Sequence, residues 1–235
     1  MQLPFFYIDP SSAGSPQVLL DEDNSRHAIQ VLRMRNGEQM NLTDGKGLLL
    51  RVEIADDHKK HCQVSVLESE LQERKGRDLT MAISLLKNNA RFEWFLEKAT
   101  ELGVRKIVPL LCERTEKQKF RLDRMKGILI SAMLQSQQCW LPELLEPIRF
   151  EEMESWSSQV ENKFIAHCMP EYRFSLSKLP AVEKGLIAIG PEGDFSHKEI
   201  QLAVEKNFTP VLLGDNRLRT ETAGMVAAAL FLLKG

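Results

Sequence analysis

Two glycine-bearing turns near the C-terminus constrain this chain most. Gly190-Pro191-Glu192-Gly193-Asp194-Phe195-Ser196 follows the apolar run Gly185-Leu186-Ile187-Ala188-Ile189. Leu213-Gly214-Asp215-Asn216-Arg217-Leu218-Arg219-Thr220-Glu221-Thr222-Ala223-Gly224 follows Pro210-Val211-Leu212-Leu213. Short apolar runs without alternation fill the middle of a parallel sheet, buried on both faces. Each turn then opens a helix, so the two strand ends face the same way. Ligands of open α/β sheets lie outside the carboxyl ends of strands, where helix N-termini leave N–H donors unsatisfied and glycines admit close approach. A small-molecule pocket formed by these two loops is the first expectation.

The chain's 235 residues suit a small domain joined to a larger one. At 43% hydrophobic and 27% charged residues, disordered and fibrous classes are excluded. Cys62, Cys112, Cys139 and Cys168 are scattered without a C-x-x-C pair, which predicts reduced thiols and a cytoplasmic protein. The five histidines lack zinc-site spacing, so no metal is expected. The first thirty residues contain no basic start followed by an apolar core, and the longest apolar run, Met225 to Leu233, is too short to span a bilayer. Neither export nor membrane insertion is expected. Dinucleotide, P-loop and nucleophile-elbow signatures are also missing from the sequence.

Along the chain, residues 1–72 read as a small β-barrel domain with one helix, Asp21 to Arg33. Strands are predicted at Gln39–Thr43, Leu48–Ile54 and Gln63–Leu67, with Asp44-Gly45-Lys46-Gly47 as a hairpin turn. The polar stretch from Glu68 to Asp78 reads as a linker. Residues 73–235 alternate strand and helix, which predicts an α/β domain with a mostly parallel sheet. Its predicted elements are a strand at Leu79–Leu85, a helix bearing Phe92, Phe95, Leu96, Ala99 and Leu102, a strand at Lys106–Leu111, a helix at Leu122–Gln137 and a strand at Lys163–Cys168.

In the first turn Pro191 fixes one φ angle, and the glycines permit positive φ. Ser196 and Glu199 form an S-x-x-E capping box that opens the next helix, a structural role. Glu192, at an exposed turn, suits either a ligand amine or a neighbouring lysine. Arg217 and Arg219 stand just before a helix whose N-terminus is already electropositive, a placement disfavoured by a few tenths of a kcal/mol each. Local pairing with Glu221 explains part of this, and the functional alternative is a guanidinium that meets an anion or developing negative charge. Ala223, Gly224, Ala227, Ala228 and Ala229 let the last helix approach another backbone, in the core or across a subunit interface. His167, beside Cys168, reads as strand-end packing, with substrate contact as the lesser alternative.

Charge is unevenly distributed: residues 73–126 carry fourteen Lys/Arg against eight Asp/Glu, whereas 1–72 and 127–235 are each net acidic. Such a band suits a polyanion as well as a solvated surface.

At these residues the chain resembles a known family. The Gly190-Pro191-Glu192-Gly193 turn followed by Leu213-Gly214 and Leu218-Arg219-Thr220-Glu221-Thr222-Ala223 is similar to the signature of the RsmE methyltransferases of the SPOUT superfamily. Lys98 to Val104, Ile107 to Leu110, Glu113-Arg114 and Gln135-Ser136 resemble the family's middle portion, and residues 1–70 its PUA-like RNA-binding domain. The resemblance implies a SPOUT-type parallel sheet with a trefoil knot behind the barrel. The implied activity is S-adenosylmethionine-dependent methylation of N3 of a uridine in 16S ribosomal RNA of the small ribosomal subunit, by a homodimer with its site at the subunit interface. It further implies that Leu110, Gly190, Pro191, Glu192, Gly193, Leu212, Leu213, Gly214, Leu218, Thr220, Glu221 and Thr222 bind the cofactor. Arg219 then stabilises charge on the base, and Arg26, Arg33, Lys87, Arg91 and Arg114 bind RNA. Asp194 departs from the pattern where the family usually has glycine, and Gln137-Gln138-Cys139 departs where an arginine is common. The competing readings are an RNA-binding, ribosome-associated protein of the same fold without catalysis, and a small-molecule α/β enzyme whose basic band is only surface.

Overall fold

The computed structural model describes residues 3–12, 14–116, 119–153, 157, 159–169 and 174–233. Lys117 of the basic band lies outside them. The chain divides into two compact units, Met1–Arg74 with Met133–Leu141, and Lys75–Ala132 with Pro142–Gly235.

In the first unit, β1 (Phe5–Tyr7), β2 (Gln17–Leu19), β3 (Gln39–Thr43), β4 (Leu48–Asp56) and β5 (Gln63–Leu71) form one sheet in the order β1-β3-β4-β5-β2. Strand β1 runs parallel to β3, and the other pairings are antiparallel. Alternation places Met40 and Leu42 of β3, Leu50, Val52 and Ile54 of β4 and Val64 of β5 in one core with Phe6, Val18 and Leu20. The β3–β4 turn follows the sequence reading: Gly45 and Gly47 take φ of +71° and +96°, and Asp44 Oδ1 accepts from Lys46 N–H at 2.7 Å. A Cβ on Gly47 would lie 2.4 Å from the Trp140 ring, so the 133–141 segment packs on this turn. Cys139, in one of the departures from the family pattern, is buried there, and its carbonyl accepts from Gly47 N–H at 2.8 Å.

Two local expectations change. The predicted linker is strand as far as Leu71, because Glu68 to Leu71 pair with Leu48 to Arg51 and Arg51 meets Glu68 across the ladder. Cross-strand charge pairing substitutes there for the burial that sequence reading seeks. The predicted helix from Asp21 is α-helical only as α1 (Glu22–Arg26), capped by Asp21 Oδ1 on Asn24 N–H at 2.7 Å, and continues as wider π-type turns from His27 to Val31.

The second unit is built on eight strands: β6 (Asp78–Ser84), β7 (Lys106–Leu111), β8 (Glu143–Leu144), β9 (Ile148–Arg149), β10 (Lys163–Ala166), β11 (Phe174–Ser175), β12 (Lys184–Ile189) and β13 (Phe208–Leu212). Their order is β11-β13-β10-β12-β6-β7-β8, with β9 also on β7, and every pairing is parallel. The central strands are continuous apolar runs, buried from Leu186 to Ile189 in β12 and from Ile107 to Leu110 in β7. Helices α2 (Asn89–Glu101), α3 (Leu122–Gln135), α4 (His197–Glu205) and α5 (Thr220–Leu232) accompany them. Helix α2 starts where Asn88 caps Ala90 N–H at 2.9 Å and stops before Gly103 at φ +84°. It packs on α5, where Gly224 faces Phe95.

Candidate active site

Three neighbouring parallel strands, β13, β10 and β12, end side by side, and beyond their carboxyl ends lies a cavity of about 630 Å³. Its walls are Ala166 to Cys168 after β10, Ile189 to Glu192 with Asp194 after β12, and Val211 to Thr220 after β13, with Ala223 in the first turn of α5. Pro191 and Gly190 are buried at its floor, whereas Glu192, Gly214 and Arg219 are exposed.

The turn after β12 closes with Asp194 N–H donating to Pro191 C=O at 2.9 Å. Positive φ was expected at its glycines. The structure puts it at Asp194, with φ +65°, and neither Gly190 nor Gly193 is left-handed. The glycines serve close approach instead. A Cβ on Gly190 would come within 3.0 Å of Phe195, and one on Gly193 within 3.3 Å of the Arg114 side chain. Phe195 is fully buried against Phe150, which anchors the turn in the core.

The loop after β7 braces this turn. Arg114 Nη1 donates to Gly193 C=O at 2.8 Å and to Phe195 C=O at 3.4 Å. Glu199, 4% exposed, completes the capping box with Ser196, and its Oε1 also accepts from Glu113 N–H at 2.8 Å. Thr115 Oγ1 accepts from Cys112 N–H and bonds Ser84 Oγ, each at 2.8 Å. These bonds tie the loop after β7 to the turn after β12 and to the start of α4.

Arg219 is the N-cap of α5, with extended backbone (φ −71°, ψ 156°), and its side chain makes no capping bond. It lines the cavity, is exposed, and makes no ion pair among the described residues. Arg217 lines the same cavity. The expected local pairing of Glu221 with these arginines is replaced by another. Glu221, 7% exposed, faces Arg91 of α2, with Oε1 3.7 Å from Nε.

Of the residues the sequence reading assigns to the cofactor, Gly190, Pro191, Glu192, Leu212, Leu213, Gly214, Leu218 and Thr220 line the cavity. Leu110, Gly193, Glu221 and Thr222 do not, although Gly193, Glu221 and Thr222 adjoin lining residues in sequence. Leu110 C=O accepts from Leu85 N–H at 3.0 Å, and Gly193 is held by Arg114. Sequence reasoning gave the wall after β10 only as the lesser alternative for His167 and did not include Cys168. His167 and Cys168 line the cavity and are not mere strand-end packing, because β10 runs between β12 and β13. An apolar run ending in His-Cys at Lys163–Cys168 was the available signal, but it did not reveal which strands would flank it.

The residues expected on RNA fall in both units. Arg26 pairs with Glu22 at 2.9 Å on α1, and Arg33 is exposed with φ +60°. Lys87 Nζ meets Glu116 at 2.7 Å, which raises its pKa, and its backbone N–H donates to Glu192 Oε1 at 3.2 Å. Among the described residues no group of three His, Cys, Asp or Glu is arranged to hold a metal ion, and no helix is long and apolar enough to cross a membrane.

Comparison with known proteins places this geometry in a family. A model of the RNA methyltransferase domain matches residues 73–232, and one of the RNA methyltransferase PUA domain matches residues 20–67. The chain is 33% identical to the ribosomal RNA small subunit methyltransferase E of Synechocystis over 94% of its own length and 75% of that protein's. A crystal structure of a probable rRNA-methyltransferase from Porphyromonas gingivalis is 37% identical, with a TM-score of 0.89 over 96% of this chain and 95% of that one. The ribosomal RNA small subunit methyltransferase E of Neisseria gonorrhoeae, solved bound to S-adenosyl methionine, is 30% identical, with a TM-score of 0.86 over 97% and 96%. The chain belongs to the ribosomal RNA small subunit methyltransferase E family.

Proposed function

From that membership, we propose that the chain methylates N3 of a uridine in 16S ribosomal RNA with S-adenosylmethionine as donor, acting in the cytoplasm as a homodimer whose sites are completed at the subunit interface. The observation that carries this reading is the cavity beyond β13, β10 and β12, lined by Gly190, Pro191, Leu212, Gly214 and Arg219, in a chain that superposes closely on a relative holding the same donor. Its volume of about 630 Å³ is within the range of small-molecule sites. The donor set also suits the group: buried strand-end backbone and Pro191 offer a flat apolar floor, while Glu192, Asp194 and Asp215 offer carboxylates to a cationic ligand.

When bound, the donor supplies an electrophilic methyl on a positively charged sulfur. Gly190 and Pro191 on one loop and Leu212 to Gly214 on the other would hold it through their backbone groups. Thr220 and Leu218 would border it at the start of α5. Neutral uridine carries a proton on N3, so N3 becomes nucleophilic only as negative charge spreads over N3, O2 and O4. Arg219 supplies a permanently charged, forked donor set at the cavity mouth, and the α5 N-terminus behind it adds positive potential to the same point. The reading without catalysis gives no reason for an N-cap guanidinium that makes no ion pair among the described residues and borders a formed cavity.

Arg26 and Arg33 in the first unit, with Lys87, Arg91 and Arg114 in the second, would bind RNA phosphates. The trefoil knot and the dimer come from the family resemblance. The dimer is supported by α5, whose Met225, Val226, Leu230 and Leu232 stay partly exposed and whose end leaves Leu233 70% exposed. Titration calorimetry with S-adenosylmethionine, followed by mass mapping of small-subunit RNA methylated in vitro, tests the whole reading. One donor per chain and a single methylated uridine at N3 are expected, and absence of donor binding at millimolar concentration would refute it.

A further inference from the structure

We infer that Asp194 is a positioning residue that fixes one wall of the cavity, because its carboxylate bridges the loops after β12 and β10 from a backbone conformation that glycine would adopt at less cost. The inference rests on the donor-pocket reading above and gives Asp194, there one of three carboxylates, a structural role in the cavity wall. Strands β10 and β12 pair in register as far as Ala166 opposite Ile189. Beyond that point no further pairing is formed among the described residues, and the segments after both strands line the cavity. Asp194 Oδ2 accepts from Cys168 N–H at 2.8 Å, across 26 residues of sequence, and Oδ1 accepts from Phe195 N–H at 2.8 Å. Both Asp194 and Cys168 line the cavity.

The backbone makes the same point. Asp194 is one of four non-glycine residues with positive φ among the described residues. Asp and Asn tolerate this region better than other side chains, yet a left-handed non-glycine residue remains strained where glycine is not. Glycine would remove that strain and also remove the bridge. The side chain reaches two backbone donors that no other described group satisfies, and bonds from N–H to carboxylate are among the stronger ones. It therefore keeps the His167-Cys168 wall at a fixed distance from the Pro191 turn, and it leaves a negative charge facing the space a cationic donor would occupy.

Asp194→Gly separates the bridge from the turn, because it relieves φ while deleting both acceptors. Losing charged acceptors of this kind predicts about tenfold weaker binding of S-adenosylmethionine by calorimetry. KM for the donor should rise by a similar factor and by more than kcat falls. Asp194→Asn keeps one acceptor oxygen and should restore part of the affinity. The bridge is also read without donor, as protection of the Cys168 amide from hydrogen exchange, which Asp194→Gly should reduce at least about tenfold. Wild-type affinity and wild-type Cys168 protection in Asp194→Gly would overturn the inference. A wild-type protein that binds no donor would sink the methyltransferase reading, while the exchange result would still decide the bridge. Should Asp194→Gly melt early, Asp194→Asn carries the test alone: a several-fold loss of affinity supports the bridge, and unchanged affinity refutes it.

Discussion

An arginine at a helix N-cap works against helix stability, so Arg219 invites a pair of opposed measurements. Arg219→Ala is expected to lower single-turnover methyl transfer by about 10²–10³, as loss of one preorganised charge-stabilising donor does, while donor affinity by calorimetry changes little. Arg219→Ser should be equally inactive yet more stable to urea by about 0.5–1 kcal/mol, because serine caps the first turn of α5 and the unfavourable charge is gone. Turnover within a few-fold of wild type in Arg219→Ala would remove the guanidinium from its role. The thiols supply a second residue-scale prediction. Cys62, Cys112 and Cys139 are buried, and burial pushes each thiol pKa up, that of Cys62 to about 11. A raised pKa lowers the thiolate fraction at neutral pH, so these three should react slowly with a thiol reagent until the pH approaches their range or the chain unfolds. Cys168 is exposed and lines the cavity, so one thiol of four should titrate fast in native protein, and bound S-adenosylmethionine should slow it.

At the scale of elements, the contact between α2 and α5 depends on a missing side chain. A Cβ on Gly224 would lie 2.7 Å from Phe95 and 2.8 Å from Ile83, both in the rigid core. Gly224→Ala should cost about 1–2 kcal/mol in urea unfolding, since overpacking outweighs the gain in helix propensity. Gly127, also helical, has open space where its Cβ would be, and Gly127→Ala should stabilise by about 0.5–1 kcal/mol. Equal effects at the two sites would mean that backbone entropy, not packing, governs Gly224. Elements were the best-read level of the sequence. Strands at Gln39–Thr43 and Lys106–Leu111 stand as expected, because their patterns are local. The reading failed where burial is absent, as for Glu68 to Leu71, whose strand is held by ladder bonds and an Arg51 pair that hydrophobic periodicity cannot register.

For the molecule as a whole, the net charge of −2 hides a basic band, and association with RNA should be strongly salt-dependent. With five cations on phosphate, the slope of log K against log salt is expected to be about −3 to −5. Arg33→Ala should reduce it by about 1, whereas Arg26→Ala, whose guanidinium is already shared with Glu22, should reduce it less. A slope near zero in filter binding would leave the basic band as ordinary surface. Sedimentation should give twice the 26.8 kDa chain mass if the apolar face of α5 is covered by a second copy.

The sequence by itself determined that two glycine-bearing strand ends with an arginine beside them would form a pocket. Apolar runs, turn residues and caps act over a few neighbours and leave their mark in order along the chain. Only the tertiary structure decided what completes that pocket: the His167-Cys168 wall, the left-handed Asp194 that holds it, and the pairing of Glu221 with Arg91. The first two depend on β10 lying between two strands that follow it in sequence, and the third on α5 packing against α2. Strand order in a parallel sheet is set by the sum of nonlocal packing and loop-closure terms, and no short window of residues contains that sum.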